Sequence, residues 1–172
     1  MKTRCIITAV LLLASLTACQ QGARSLKEAE TLFQQGLEQR SARQTEAAAE
    51  SFSQALLAIE RCDQNQAEVQ RLKGQIEDNL GFCYWKHELF AEALPLHKDA
   101  AVLFRSLNND TLLMTALRNC GRAEASLGNL DGAKASYEEA LSLAKTLNDK
   151  EMENDILLEL SRDVLLPQED FE

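Results

Sequence analysis

Proline occurs twice in this chain, tryptophan once, and tyrosine and histidine twice each. β-branched residues are few and scattered, which argues against a sheet-based domain. The longest apolar run, Ile6 to Ala18, has thirteen residues, fewer than the roughly 20 that a membrane-spanning helix needs. The two histidines, His87 and His97, stand apart in no His-Glu-x-x-His pattern, and no Cys/His cluster has zinc spacing. Both read as ordinary residues on a helical surface. A Gly-rich phosphate loop is missing, and no Ser, Cys or Lys has a recognisable nucleophilic setting. These absences speak against an enzyme, a metal site and a bound cofactor.

Ala, Leu, Glu, Gln and Lys dominate what remains, a composition that favours helices. A length of 172 residues fits one domain with ample apolar content for a core. Lys2 and Arg4 precede the apolar run, and Cys19 follows it directly, the layout of a secretory signal. The tetrapeptide Leu16-Thr17-Ala18-Cys19 resembles the lipobox of bacterial lipoproteins. That resemblance implies cleavage after residue 18, a diacylglycerol on the Cys19 sulfur and an acylated new amino terminus. Several acyl chains, at about 0.8 kcal/mol per buried CH₂, hold a protein on a membrane firmly. Residues 1–18 are then the signal and 19–24 a short tether. Gln20, where an Asp would favour retention in the inner membrane, leans towards the outer membrane, facing the periplasm.

Cleavage would take away Lys2 and Arg4, leaving 16 basic against 27 acidic residues, a net charge of −11. So acidic a surface repels phosphate backbones and anionic headgroups, which disfavours nucleic acid and leaves lipid as the sole membrane contact. Three cysteines remain after the signal and anchor: Cys62, Cys83 and Cys120. An odd number in an oxidising compartment permits one disulfide and a leftover thiol. Cys83 and Cys120, however, sit where helix-packing residues are expected, and the reading as small buried hydrophobes is preferred.

Internal similarity is the most informative feature. Leu107-Asn108-Asn109-Asp110 recurs as Leu147-Asn148-Asp149-Lys150, forty residues on, and Gly81, Ala93 and Ala100 recur at the same offset as Gly121, Ala133 and Ala140. Several matches at one offset, with helical spacing between them, indicate a duplicated hairpin. Gly81 and Gly121 fall midway along first helices, where Gly costs about 1 kcal/mol relative to Ala, so close approach of a neighbouring helix is expected. Ala133 is expected to face back towards Gly121. Gly128-Asn129 supplies a turn, with Asn129 as N-cap. Tyr137, Ala140, Leu141 and Ala144 continue an apolar stripe. Asp110 and Asp149 are further expected N-caps.

These residues resemble the tetratricopeptide repeat, in which a small residue in the first helix, a turn Gly, and then Ala, an aromatic and Ala in the second helix define the unit. Residues 114–147 fit through Gly121, Gly128, Ala133, Tyr137 and Ala140. Residues 74–107 fit through Leu80, Gly81, Tyr84, Ala93 and Ala100, with Glu88 at the turn and His97 in place of the aromatic. Residues 29–62 fit through Gly36, Ala48, Phe52 and Ala55, with Arg43 at the turn. Spacings of 40 and 45 residues exceed the usual 34, and residues 63–73 and 108–113 are expected to lengthen helices and loops. After Asp149 a helix to about Leu166 reads as the first helix of a fourth unit; Pro167 ends it, and residues 167–172 form an acidic tail. Pro95 falls inside the second helix of the middle unit, so that helix either starts late or bends; a kink is expected.

The resemblance implies an all-α, right-handed superhelical stack of about three hairpins with a C-terminal capping helix, spanning residues 25–166. It also implies a concave groove lined by first helices that holds a peptide or a partner helix. The groove places carry Phe33 and Leu37 from the first unit, Asp78, Phe82, Trp85 and Lys86 from the second, and Arg118, Arg122 and Ser126 from the third. Phe82 and Trp85 either anchor a partner or pack against neighbouring helices. Trp and Arg are the types that most often dominate interface energy, and two arginines in a chain this acidic suggest a ligand carrying carboxylates. The reading is a lipid-anchored envelope adaptor. Lipoproteins with such repeats assist pilus or secretion-pore assembly or organise cell-wall enzymes. The alternative is a periplasmic module that senses a peptide or small molecule.

Overall fold

The computed structural model describes the backbone of residues 2–166 and the side chains of residues 20–166. Seven α-helices follow one another among them: α1 (Lys2–Ser41), α2 (Thr45–Ile59), α3 (Ala67–Lys86), α4 (Phe90–Ser106), α5 (Asp110–Ser126), α6 (Leu130–Leu147) and α7 (Lys150–Leu160). A π-helical turn, Ser161–Leu165, ends the described chain. α1 pairs with α2, α3 with α4 and α5 with α6, and each hairpin packs on the next. The expected all-α stack of three hairpins and a terminal helix is what the chain forms. α1 with α3, and α3 with α5, also meet directly, so the odd-numbered helices lie as the tighter, inner layer. The Cys19 side chain and residues 167–172 lie outside the described residues. Residues 19–24, expected as a short tether, are helical and run on into the rest of α1.

One contact recurs in all three hairpins and explains the repeated glycines. A Cβ added at Gly36 would come within 2.5 Å of the Phe52 ring, at Gly81 within 2.9 Å of His97, and at Gly121 within 2.8 Å of Tyr137. In each case the ring comes from sixteen residues further on and is fully buried. The first helix gives up a side chain so that the second can press a ring onto its backbone. Ala133 is buried too, but Tyr137 fills the space over Gly121. His97 is therefore a core ring, not the surface residue its isolation suggested.

The turns follow a shared geometry. Gly128 adopts φ +76, and its counterparts Glu88 and Arg43 adopt φ +62 and +61. These side-chain-bearing residues occupy the left-handed region that favours glycine. Asn129 caps α6 by accepting from the Gly132 amide, and Asp149 caps α7 by accepting from Met152. The cap of α5 is Asn109, which accepts from Leu112, rather than Asp110. Asp110 is one place too late: the left-handed Asn108 ends the preceding turn, and the chain enters α5 at Asn109.

α4 runs unbroken from Phe90 through Pro95, so the late start is excluded. Residues 67–73 lengthen α3 as expected. α7 supplies the predicted cover, burying Ile156, yet its register changes at the end: a π turn begins at Ser161, forty residues after Gly121. No ring is needed there because no second helix follows within the described chain. Among the described residues, no helix is long and apolar enough to cross a membrane.

Candidate interaction surface on the inner helices

Adjacent first helices are joined by polar side chains at nearly constant intervals. Asn119 on α5 donates to both carboxylate oxygens of Asp78 on α3, at 3.0 and 3.2 Å. Arg118 on α5 donates from Nε and Nη2 to Glu159 on α7, at 2.8 and 2.7 Å, and its Nη2 lies 3.2 Å from Asp155. Trp85 Nε1 on α3 donates to the Ser126 hydroxyl on α5 at 3.2 Å. All three links span 41 residues, the repeat plus one place. The same displacement carries α3 onto α5 and α5 onto α7.

This ladder divides the predicted groove residues. Phe33 is buried against Phe52, with ring centroids 5.8 Å apart, and belongs to the core. Leu37 is half-buried against the same core. Asp78 is held by Asn119 and by His97 Nδ1 at 2.7 Å. It ties three helices together and is not open to a ligand. Arg118 is likewise committed: its bidentate link to Glu159 holds the guanidinium charged, above its already high ordinary range. The expectation that Arg118 selects a carboxylate on a partner is corrected; its carboxylates are supplied from α7. Desolvated cations rarely stand unpaired, and the terminal helix brought two acids within reach.

Phe82, Trp85, Lys86, Arg122 and Ser126 do come together. Phe82 and Trp85 stack with centroids 6.4 Å apart and 27° between planes. The Arg122 guanidinium lies 4.1 Å over Trp85, and Lys86 Nζ sits 5.4 Å from Trp85 and 5.7 Å from Phe82. Sequence reasoning missed two further members. Arg40, near the end of α1, lies 5.5 Å over Phe82 and donates to Asn79. Phe90 tilts against Trp85 at 6.4 Å. Phe82 and Trp85 thus pack against neighbours and remain half-exposed, so the two readings of them are compatible. Cations placed within about 6 Å of a ring face are attracted by its quadrupole. The outcome is a local cationic patch, with an aromatic floor, on a chain of net charge −9.

A recess of about 280 Å³ opens beside Trp85, bounded by Arg122, Ser126, Arg162 and Asp163. Asp163 accepts from the Tyr137 hydroxyl at 2.8 Å and pairs with Arg162 at 2.6 Å, so one wall is fixed by the core. Arg122 Nε is buried without a hydrogen-bond partner and lies 3.8 Å from Glu159. Its charge is compensated only loosely.

Cys62, Cys83 and Cys120 are free and buried, and burial pushes Cys83 up to about 11 and Cys120 up to about 12. Thiols held that far from ionisation are poor nucleophiles, and none forms the single disulfide that their number allowed. Among the described residues no group of acids, histidines and cysteines is placed to hold a metal.

A stack of antiparallel hairpins with an inner, side-chain-rich helical face defines a helical-repeat interaction scaffold. Residues 64–146, which run from just before α3 almost to the end of α6, match the family model of the tetratricopeptide repeat. Proteins built on this repeat are generally scaffolds rather than enzymes. No curated protein matches the chain.

Proposed function

We propose that the protein is an envelope adaptor that docks a partner on the inner face of its helical stack. The observation that carries this reading is the cluster of Arg40, Lys86 and Arg122 over Phe82 and Trp85. Such a surface suits a peptide or protein segment with an apolar anchor next to carboxylates. Ring faces give contact area, and the cations give orientation and on-rate. The 280 Å³ recess falls just short of the roughly 300–1,000 Å³ typical of small-molecule sites, which favours one side chain of a macromolecule over a free ligand.

The second half of the proposal is the anchor. The lipobox-like Leu16-Thr17-Ala18-Cys19 and the preceding signal support lipidation at Cys19, and Gln20 favours the outer membrane, facing the periplasm. Assembly of pili or secretion pores, or organisation of cell-wall enzymes, are the settings that the resemblance suggests. Lipidation is tested by feeding cells a palmitate analogue, which should label the wild type and not Cys19→Ala. Docking is tested by crosslinking in the native cell, identifying the captured protein, and measuring its affinity for purified variants. Trp85→Ala should weaken the complex about 30-fold, the equivalent of losing one aromatic anchor worth roughly 2 kcal/mol. Arg122→Glu should weaken it too and flatten its salt dependence, whereas Glu138→Ala on the outer face should not. A complex sensitive to Glu138 and indifferent to both inner variants would place the partner elsewhere.

A further inference from the structure

The outer face carries a second surface, opposite in character to the first. Between α2 and α4 lies an open groove of about 540 Å³, floored by Leu80 and Tyr84 of α3 and walled by Leu56, Leu57, Pro95 and Leu96. Leu57, in the last turn of α2, is 60% exposed. It also borders a neighbouring recess of about 440 Å³ between α1 and α2, lined in part by Glu28, Leu32 and Arg61. The two recesses share Leu57 as the ridge between them. A ridge flanked by grooves is the surface on which another helix packs.

The rim chemistry says which helix. Glu60 and Glu92 border the larger groove and Glu28 the smaller. The one base, Arg61, lies 3.9 Å from Glu28. Pro95, on the wall of the groove, has no N–H to give the Ala91 carbonyl, so α4 lacks that one helical hydrogen bond. One turn before Leu80, Glu77 is buried with Oε2 unbonded; Lys73 lies 3.8 Å from its other oxygen, while Asp99 of α4 and Glu60, at the C-cap of α2, repel it. Acceptors and negative charge crowd an apolar floor, and the partner must bring donors and positive charge.

We infer that the α2–α4 face docks a basic amphipathic helix of a partner protein, its apolar side chains straddling Leu57 and its lysines or arginines meeting Glu60 and Glu92. This surface is separate from the cationic inner patch, and its occupancy does not depend on what binds there. The two faces would let one molecule hold an acidic and a basic partner together.

The test uses the full chain and a labelled synthetic helix with leucines at positions i, i+3, i+4 and i+7 and lysines elsewhere, read by fluorescence anisotropy. A glutamate-for-lysine version is the second probe. Binding of the lysine helix should fall at least tenfold for Leu57→Ser and for the double variant Glu60→Lys with Glu92→Lys. It should persist in the charge-matched control, Glu138→Lys with Glu151→Lys, and the glutamate helix should not bind. Circular dichroism checks that the variants remain folded; should Leu57→Ser unfold, the charge-reversal pair alone decides. Equal binding by the groove variants and the control, or tight binding of the glutamate helix, overturns the inference. So does a wild-type dimer that Leu57→Ser dissociates, because the face would then belong to a second copy of this chain.

Discussion

At the scale of single residues, the glycine-to-ring contact carries the most information about stability. Tyr137 cannot retreat from an intruding side chain: it is fully buried and its hydroxyl is bound to Asp163. Gly121→Leu should therefore overfill the hairpin at a typical cost of about 1–3 kcal/mol. A thermal melt that matched the wild type would show that the ring yields. Glu77 offers a different residue-scale prediction. Burial, with repulsion from Asp99 and Glu60, pushes its carboxyl up to about 7 against the pull of Lys73. Folding then favours the protonated form. That contribution is complete below the unfolded value near 4.5 and is lost as pH rises through 7. Glu77→Gln, which cannot ionise, should gain on the wild type as pH rises from 5 to 8, read from urea midpoints at each pH. Parallel midpoints across that range would show that Glu77 does not titrate as burial dictates.

At the scale of helices and turns, the forty-residue offset made the hairpins legible because it fixed Gly81, Gly121, Ala93 and Ala133 together. The first hairpin lies further off at 45 residues and has Arg43 at its turn, yet it makes the same Gly36–Phe52 contact. Geometry is retained there where residue identity is not. The inner surface was legible in part. The resemblance named Phe82, Trp85, Arg122 and Ser126 together, and they do cluster, but it could not show that Asp78 and Arg118 are bonded to the neighbouring helices. That fact depends on the one-place displacement between repeats, which brings Asn119 to Asp78 and Glu159 to Arg118. Phe33 belongs to the core instead, where it packs against the Phe52 ring. The turns yield a prediction at this scale. Glu88 pays for a left-handed backbone, roughly 1–2 kcal/mol less the extra freedom glycine has when unfolded, and Leu89 makes no side-chain cap for α4. Copying the third turn into the second, Glu88→Gly with Leu89→Asn, should stabilise the protein by about 1 kcal/mol and raise its melting temperature by roughly 2–4 °C. A lowered melting temperature would mean that Leu89 contributes more by packing than Asn does by capping.

At the scale of the whole molecule, a stack of repeats is only as stable as its ends, because each unit rests on its neighbours. α7 closes one end by burying Ile156 and by bringing Glu159 to Arg118 and, more distantly, to Arg122. Among the described residues its outer side stays apolar and open, with Leu158 69% exposed. The inner cationic patch depends on the same contact, since Arg122 lies between Trp85 and Glu159. Glu159→Ala should thus act at a distance. Arg118 would lose two charge-assisted hydrogen bonds in a mostly buried setting, at about 1.5–3 kcal/mol for such interactions, and α7 would be loosened. The melting temperature should fall, and hydrogen exchange should speed up first in α7 and the last turns of α5, with α1 to α3 little affected. Glu159→Gln keeps one acceptor and should fall between the two. Replacing the pair by apolar residues, Arg118→Met with Glu159→Leu, should recover most of the lost stability, because the cost lies in leaving one charge unpaired rather than in lacking the pair. Uniformly faster exchange along the whole chain, or no recovery in the double variant, would show that α7 is held by its apolar face alone and that the polar ladder between first helices fixes register without adding stability.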